Sequence, residues 1–313
     1  MENRRSFIKK CVLGYAAFTT VGLTSCSNNK RANTPMKDTA PKKVLVIWYS
    51  QTGHTERIGR VIGHEWQKAG LGVEMAEYRN LGKTSLSHYD LITIGSPVYY
   101  MDVPVNLKQW LTDIPRIDGV PVAAFVTFGG SGDGQHNTAC GLLDLMTDKG
   151  GIPVGMETFG NMSTFAPTWS LGNEKRILSY KDLPNDTTYS QARRFSADVL
   201  KNINSGLSID VEEAFGMDSL MKIFPQIWFT KLMISSHMID KETCIKCGIC
   251  TDKCPVGAID LEQDIDESRC IACLGCINNC PVNAVKMNFL GKPVYGFNEF
   301  LKRNQIKIIE PAV

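Results

Sequence analysis

Apolar residues along this 313-residue chain are arranged in two ways. Residues 44–49 are a continuous apolar run rich in Val and Ile, as expected of a strand buried on both faces, and residues 120–128 read as another strand. Shorter runs at 73–78, 90–94 and 152–158 read as further strands. Between them lie stretches whose apolar positions recur every three or four residues. In 55–68, Ile58, Val61, Ile62 and Trp66 share one stripe, which predicts a helix; 105–111, 138–149 and 188–203 read the same way. Strands alternating with helices predict an α/β fold, a doubly wound five-stranded parallel sheet over residues 43–205. Residues 206–240, with Phe215, Leu220, Ile223, Phe224, Trp228 and Phe229, are too apolar for a solvated linker and read as a connecting arm. Residues 289–313 form a C-terminal extension expected to pack on a neighbour. The connection at 161–181 is long, which marks it as covering a site or meeting the second module.

That second module, residues 241–288, is defined by sulfur. Cys244, Cys247, Cys250 and Cys254 follow C-x2-C-x2-C-x3-C-P spacing, and Cys270, Cys273, Cys276 and Cys280 repeat it. In each copy three close thiolates cap three corners of an iron–sulfur cube and the fourth reaches the other cube. One cluster then takes Cys244, Cys247, Cys250 and Cys280, and the other takes Cys270, Cys273, Cys276 and Cys254. Zinc or disulfides are the competing reading of C-x2-C. Neither calls for four cysteines at this spacing before a proline, twice over. The stretch resembles a bacterial two-cluster ferredoxin, a small α+β domain with two [4Fe-4S] clusters.

The loops after the predicted strands carry the other chemistry. Ser50, Gln51, Thr52, Gly53, His54 and Thr55 lead from the first strand into a helix, where short hydroxyls and backbone N–H groups form an anion nest suited to a phosphate monoester. The run is similar to the phosphate loop of the flavodoxin family, S/T-x-T-G-x-T. Ser96, Pro97, Val98, Tyr99 and Tyr100 follow the third strand and resemble the family loop that stacks an aromatic ring on the flavin. Either tyrosine suits that role. Gly129, Gly130, Gly132 and Asp133 follow the fourth strand and resemble the loop along the flavin's other side. The resemblance implies FMN, bound where ligands sit in such sheets, at the carboxyl ends of the strands.

Composition adds limits. The chain is 43% hydrophobic with a formal net charge of +2, which gives no electrostatic case for nucleic-acid binding. Of eleven cysteines only Cys11, Cys26 and Cys140 lie outside the two runs, so the fold does not rest on disulfides. Residues 1–25 read as an export signal: Arg4 and Arg5 precede Ser6-Phe7-Ile8-Lys9, resembling the twin-arginine signature, ahead of an apolar run too short to span a bilayer. The ending Leu23-Thr24-Ser25-Cys26 resembles a bacterial lipobox, which implies lipidation of Cys26 and a tether over residues 26–42. Twin-arginine export carries folded cargo, in keeping with cofactors loaded in the cytoplasm. The expected location is the bacterial cell envelope, facing the periplasm.

Together the motifs resemble the fused flavodoxin–ferredoxin family. An electron-transfer protein is expected, relaying electrons between FMN, two clusters and an external partner, either a redox protein or a membrane donor. A flavin-dependent reductase of a quinone or nitro compound, and a redox sensor, are the alternatives. No catalytic side chain is assigned, and no G-x-G-x-x-G fingerprint stands outside the flavin loops.

Overall fold

Strand β1 (Lys43–Trp48) is buried at every position but its first, so both of its faces need cover. In the computed structural model, which describes residue 36 and residues 40–82, 86–130, 134–214 and 225–312, that cover comes from helices on either side. β1 is flanked by β2 (Gly72–Glu77) and β3 (Leu91–Pro97), then β4 (Pro121–Phe128) and β5 (Ile152–Gly160). All pairings are parallel, in the order β2-β1-β3-β4-β5, with Val44 level with both Val73 and Leu91. The five-stranded sheet expected from the apolar runs is present.

Helix α1 (His54–Lys68) turns Ile58, Val61, Ile62 and Trp66 onto one face of the sheet, against Val44, Val46 and Phe125. On the other face α2 (Val105–Asp113) and α3 (Gly134–Thr147) cover Leu45, Ile47 and Ile92. After β5 the long connection holds two short helices, α4 (Pro167–Ser170) and α5 (Glu174–Leu178). Helix α6 (Asp186–Asn204) follows, started by a capping box in which Asn185 accepts from the Thr188 N–H, and packs beside α1.

The small domain is larger than residues 241–288. After α7 (Gln226–Met233), the strand β6 (Ile234–Ile239) pairs antiparallel with β9 (Val285–Phe289), which also pairs with β10 (Lys292–Val294). The end of the connecting arm and the start of the C-terminal extension are therefore sheet strands, because β9 needs partners on both edges. Two short helices, α8 (Ile249–Lys253) and α9 (Gly275–Asn279), lie within the cysteine runs; a small ribbon of β7 (Ile259–Asp260) and β8 (Asp264–Ile265) lies between them. Helix α10 (Phe297–Arg303) closes the domain with Phe297 and Phe300 in its core. That core also takes in Met162, Trp169 and Ile177 of the long connection.

The extension then returns to the large domain. Tyr189 donates to the Ile309 carbonyl, Arg193 to that of Ala312, and Arg57 pairs with Glu310 at 2.6 Å. The export signal, Cys26, most of the tether, Gly132, Asp133 and residues 215–224 of the arm lie outside the described residues. Among the described residues no helix is long and apolar enough to cross a membrane.

Candidate functional site

The eight cysteines of the two runs ring two separate cavities. One is lined by Cys244, Cys247, Cys250 and Cys280, the other by Cys254, Cys270, Cys273 and Cys276. The fourth cysteine of each run thus faces the other run's cavity, the partition expected from the spacing. Tight backbone turns aim the thiols inward: Lys246 and Ala272 both stand at φ 53, and their N–H groups point to Cys244 Sγ and Cys270 Sγ, each at 3.4 Å. The Ala258 and Ala284 N–H groups likewise donate to Cys254 and Cys280 Sγ, each at 3.1 Å.

None of the nine described cysteines forms a disulfide. Among the described residues no three ligand side chains converge as one metal ion requires. Four sulfurs spread around each apolar cavity fit a larger group, a cluster with sulfur at its corners. Burial pushes the Cys273 thiol up to about 12 and the Cys276 thiol well above its ordinary range. A metal ion bound there would have to displace these protons.

A third cavity, of about 410 Å³, opens at the carboxyl ends of β3 and β4. That size suits a cofactor. Pro97, Val98, Tyr99 and Tyr100 line one side, Gly129 and Gly130 the other. Tyr99 and Asp102 exchange backbone hydrogen bonds of 3.1 and 3.0 Å around Tyr100 (φ 54) and Met101 (φ 59). Positive φ at both central positions is a type I′ turn, which costs roughly 1–3 kcal/mol for each non-glycine residue. Lys108 holds the turn through Asp102 at 2.6 Å, and the Tyr100 hydroxyl donates to the Ala272 carbonyl at 2.9 Å. Across the cavity, a Cβ on Gly129 would stand 2.3 Å from the Ser163 backbone, so the loops after β4 and β5 meet only because this residue is glycine.

Ser96 differs from expectation. It is buried at the end of β3, its hydroxyl donates to the Pro97 carbonyl at 2.8 Å, and it does not line the cavity. The run 50–55 does not line it either, but adjoins it: Thr55 Oγ1 bonds Thr127 Oγ1 at 2.8 Å, and Thr127 is in the lining. Ser50, Gln51, His54 and Thr55 are buried, while Thr52 and Gly53 are partly exposed. Gly53 caps α1 without a side-chain hydrogen bond. Both ring nitrogens of His54 are buried with no hydrogen-bond partner. Burial, and next the Arg57 guanidinium, lowers His54 to about 3, so at neutral pH it offers one N–H without charge. An uncapped helix start beside an unpartnered ring donor fits a phosphate. The Gln51 side chain serves otherwise: its Nε2 donates to Tyr49 and to the Lys253 carbonyl, at 2.7 and 2.8 Å. It is a contact to the small domain, which no local motif announces.

Asn161–Phe165 of the long connection after β5 lines the third cavity, as its length led one to expect. Other walls went unread in the sequence: Thr230 comes from α7, and Ala272, Cys273 and Leu274 come from the second cysteine run. Cys273 and Leu274 line the neighbouring cysteine cavity as well.

The comparisons agree with this division. Residues 45–149 match the family model described as a flavodoxin domain, and residues 237–260 and 264–286 match the 4Fe-4S binding domain model. A probable flavodoxin 1 of Bacillus subtilis (strain 168) is 27% identical over 122 residues, 37% of this chain and 75% of that protein. A flavodoxin of Clostridium saccharobutylicum is 25% identical over 111 residues, 34% of this chain and 69% of that one. The solved oxidised flavodoxin 1 of Bacillus cereus is similar over 51% of this chain and 98% of its own, with 16% identity and a TM-score of 0.39. The chain carries a flavodoxin domain followed by a 4Fe-4S ferredoxin domain, and the cofactors these imply are FMN and two [4Fe-4S] clusters.

Proposed function

We propose that this protein relays electrons between FMN, two [4Fe-4S] clusters and an external redox partner. The observation that carries the reading is the shared wall: Cys273 and Leu274 face both the flavin cavity and the nearer cysteine cavity. When bound, FMN exchanges one or two electrons and each cluster one. The chain's residues hold these groups in line. Thr52, Gly53, His54 and Thr55 hold the phosphate, Tyr99 or Tyr100 and Gly129–Gly130 flank the ring, and each cysteine set holds one cluster. Gly132 and Asp133, from the same loop as Gly129, are assigned to the ring's edge on the family resemblance.

The far end of this line is the open one. Cys247 is exposed and Ile245 is 61% exposed beside it, so the external partner, a redox protein or membrane donor, meets the chain there. Export by the twin-arginine route and lipidation at Cys26 place the protein in the cell envelope, facing the periplasm. The sequence of residues 1–26 supports this part of the proposal. Cys26→Ala should move the protein out of the membrane fraction; equal membrane retention would dismiss the anchor.

The central test is a stepwise anaerobic titration of the mature protein, followed optically and by electron paramagnetic resonance, with iron and flavin quantified. Two clusters and one flavin correspond to about eight irons and one FMN per chain. Electrons supplied to the flavin should appear in the clusters within one chain, without a second protein. Steady turnover of a quinone or nitro compound by the isolated protein would instead establish a reductase.

A further inference from the structure

The two cysteine cavities are near copies of each other in backbone, and one side chain breaks the likeness. The backbone donors to sulfur match in pairs, Lys246 with Ala272 and Ala258 with Ala284, at equal distances. Strand β6 contributes one residue to each cavity from the same face. To the outer cavity it gives Ile239; to the inner one, beside the flavin cavity, it gives His237. Apart from cysteine, His237 is the one polar side chain among the lining residues of either cavity. It is buried, and its Nε2 lies 3.3 Å from Cys276 Sγ. Both Cys276 and its counterpart in the first run, Cys250, have the N–H of the following residue near the sulfur; beyond that, Cys250 has the hydroxyl of exposed Thr251 where Cys276 has the buried His237 ring.

We infer that His237 is a positioning and tuning residue that raises the reduction potential of the inner cluster above that of the outer one. This rests on the cysteine assignment proposed above. A ligating thiolate has no proton to give, so Nε2 is the donor and Cys276 Sγ the acceptor. Adding one electron to a cluster places more negative charge on its sulfurs, and a hydrogen bond already aimed at one of them strengthens. The reduced form gains more than the oxidised form, and hydrogen bonds to sulfur are a recognised determinant of cluster potential. In a buried site without competing water the difference is largest. The inner cluster then becomes the better acceptor for electrons leaving the flavin cavity, and onward transfer to the outer cluster is the uphill step.

The test compares the reconstituted full chain with His237→Leu. Iron content near eight per chain in both preparations verifies independently that both clusters are loaded. Under the inference, one of the two cluster signals titrates lower in the variant, its reduction constant falling about tenfold, or about 59 mV for a one-electron couple. The other stays in place. No change, or an equal change in both clusters, would overturn the inference. Should the variant lose iron, the unaltered protein decides: after 15N-histidine labelling, pulsed resonance of the reduced protein should show imidazole nitrogen coupling on one cluster and not the other. Absence of that coupling from both would overturn it too.

Discussion

Cys254→Ala should cost the inner cluster, not the one its sequence neighbours build. Iron would fall from about eight to about four per chain, with FMN retained. Cys280→Ala should remove the same amount of iron from the outer site. The two variants differ in what the flavin sees. Cys254 lines the cavity whose wall, Cys273 and Leu274, is shared with the flavin cavity, whereas Cys280 lines the one that ends at exposed Cys247. Electron transfer from flavin to a cluster should therefore stop in Cys254→Ala and persist in Cys280→Ala. Flash or stopped-flow reduction, read alongside iron and sulfide analysis, distinguishes them. Persistence in Cys254→Ala would mean that the cysteines are partitioned by run and not across runs.

Gly129→Val is expected to do the opposite, losing flavin while keeping iron. Its Cβ would fall 2.3 Å from both Cα and N of Ser163, and these are backbone atoms that no rotamer change moves. The loops after β4 and β5 must part, and overpacking of this kind costs about 1–3 kcal/mol. If the cavity bears that strain, FMN affinity falls roughly 5- to 150-fold. The cysteine cavities draw no lining residue from this loop, so iron should remain at about eight. Ultrafiltration of the loaded protein, with flavin absorbance and iron measured on the retentate, checks both halves. Unaltered FMN retention would place the ring elsewhere.

What could be read from residue order follows the range of each interaction. β1 was legible because a strand covered on both faces leaves a continuous apolar run. The two cluster motifs were legible because metal geometry acts through fixed local spacing. Residues whose role depends on distant partners left no such mark. Ser96 looks like its neighbours in the loop, yet its hydroxyl closes on Pro97. Gln51 stands inside a phosphate motif, but its side chain answers to Lys253, 202 positions away. His237 belongs to no motif; only the pairing of β6 with β9 brings it to Cys276. The domain boundary at 241 fell short for a related reason, since the pattern of cysteines does not reveal which flanking strands complete the sheet.

The returning C-terminal segment bears on how the molecule is made. Arg57 and Glu310 are 253 positions apart, and Arg193 waits for Ala312. Contacts of such separation form late. During synthesis, at about 5–20 residues per second, the first domain emerges complete while the last hundred residues are still to come. For roughly 5–20 s its flavin cleft lacks the wall that Ala272, Cys273 and Leu274 later supply. A bulky cofactor enters an open cleft more readily than a closed one. Flavin loading thus has a natural place before domain docking, and the arriving ferredoxin half acts as the stopper that keeps the flavin in.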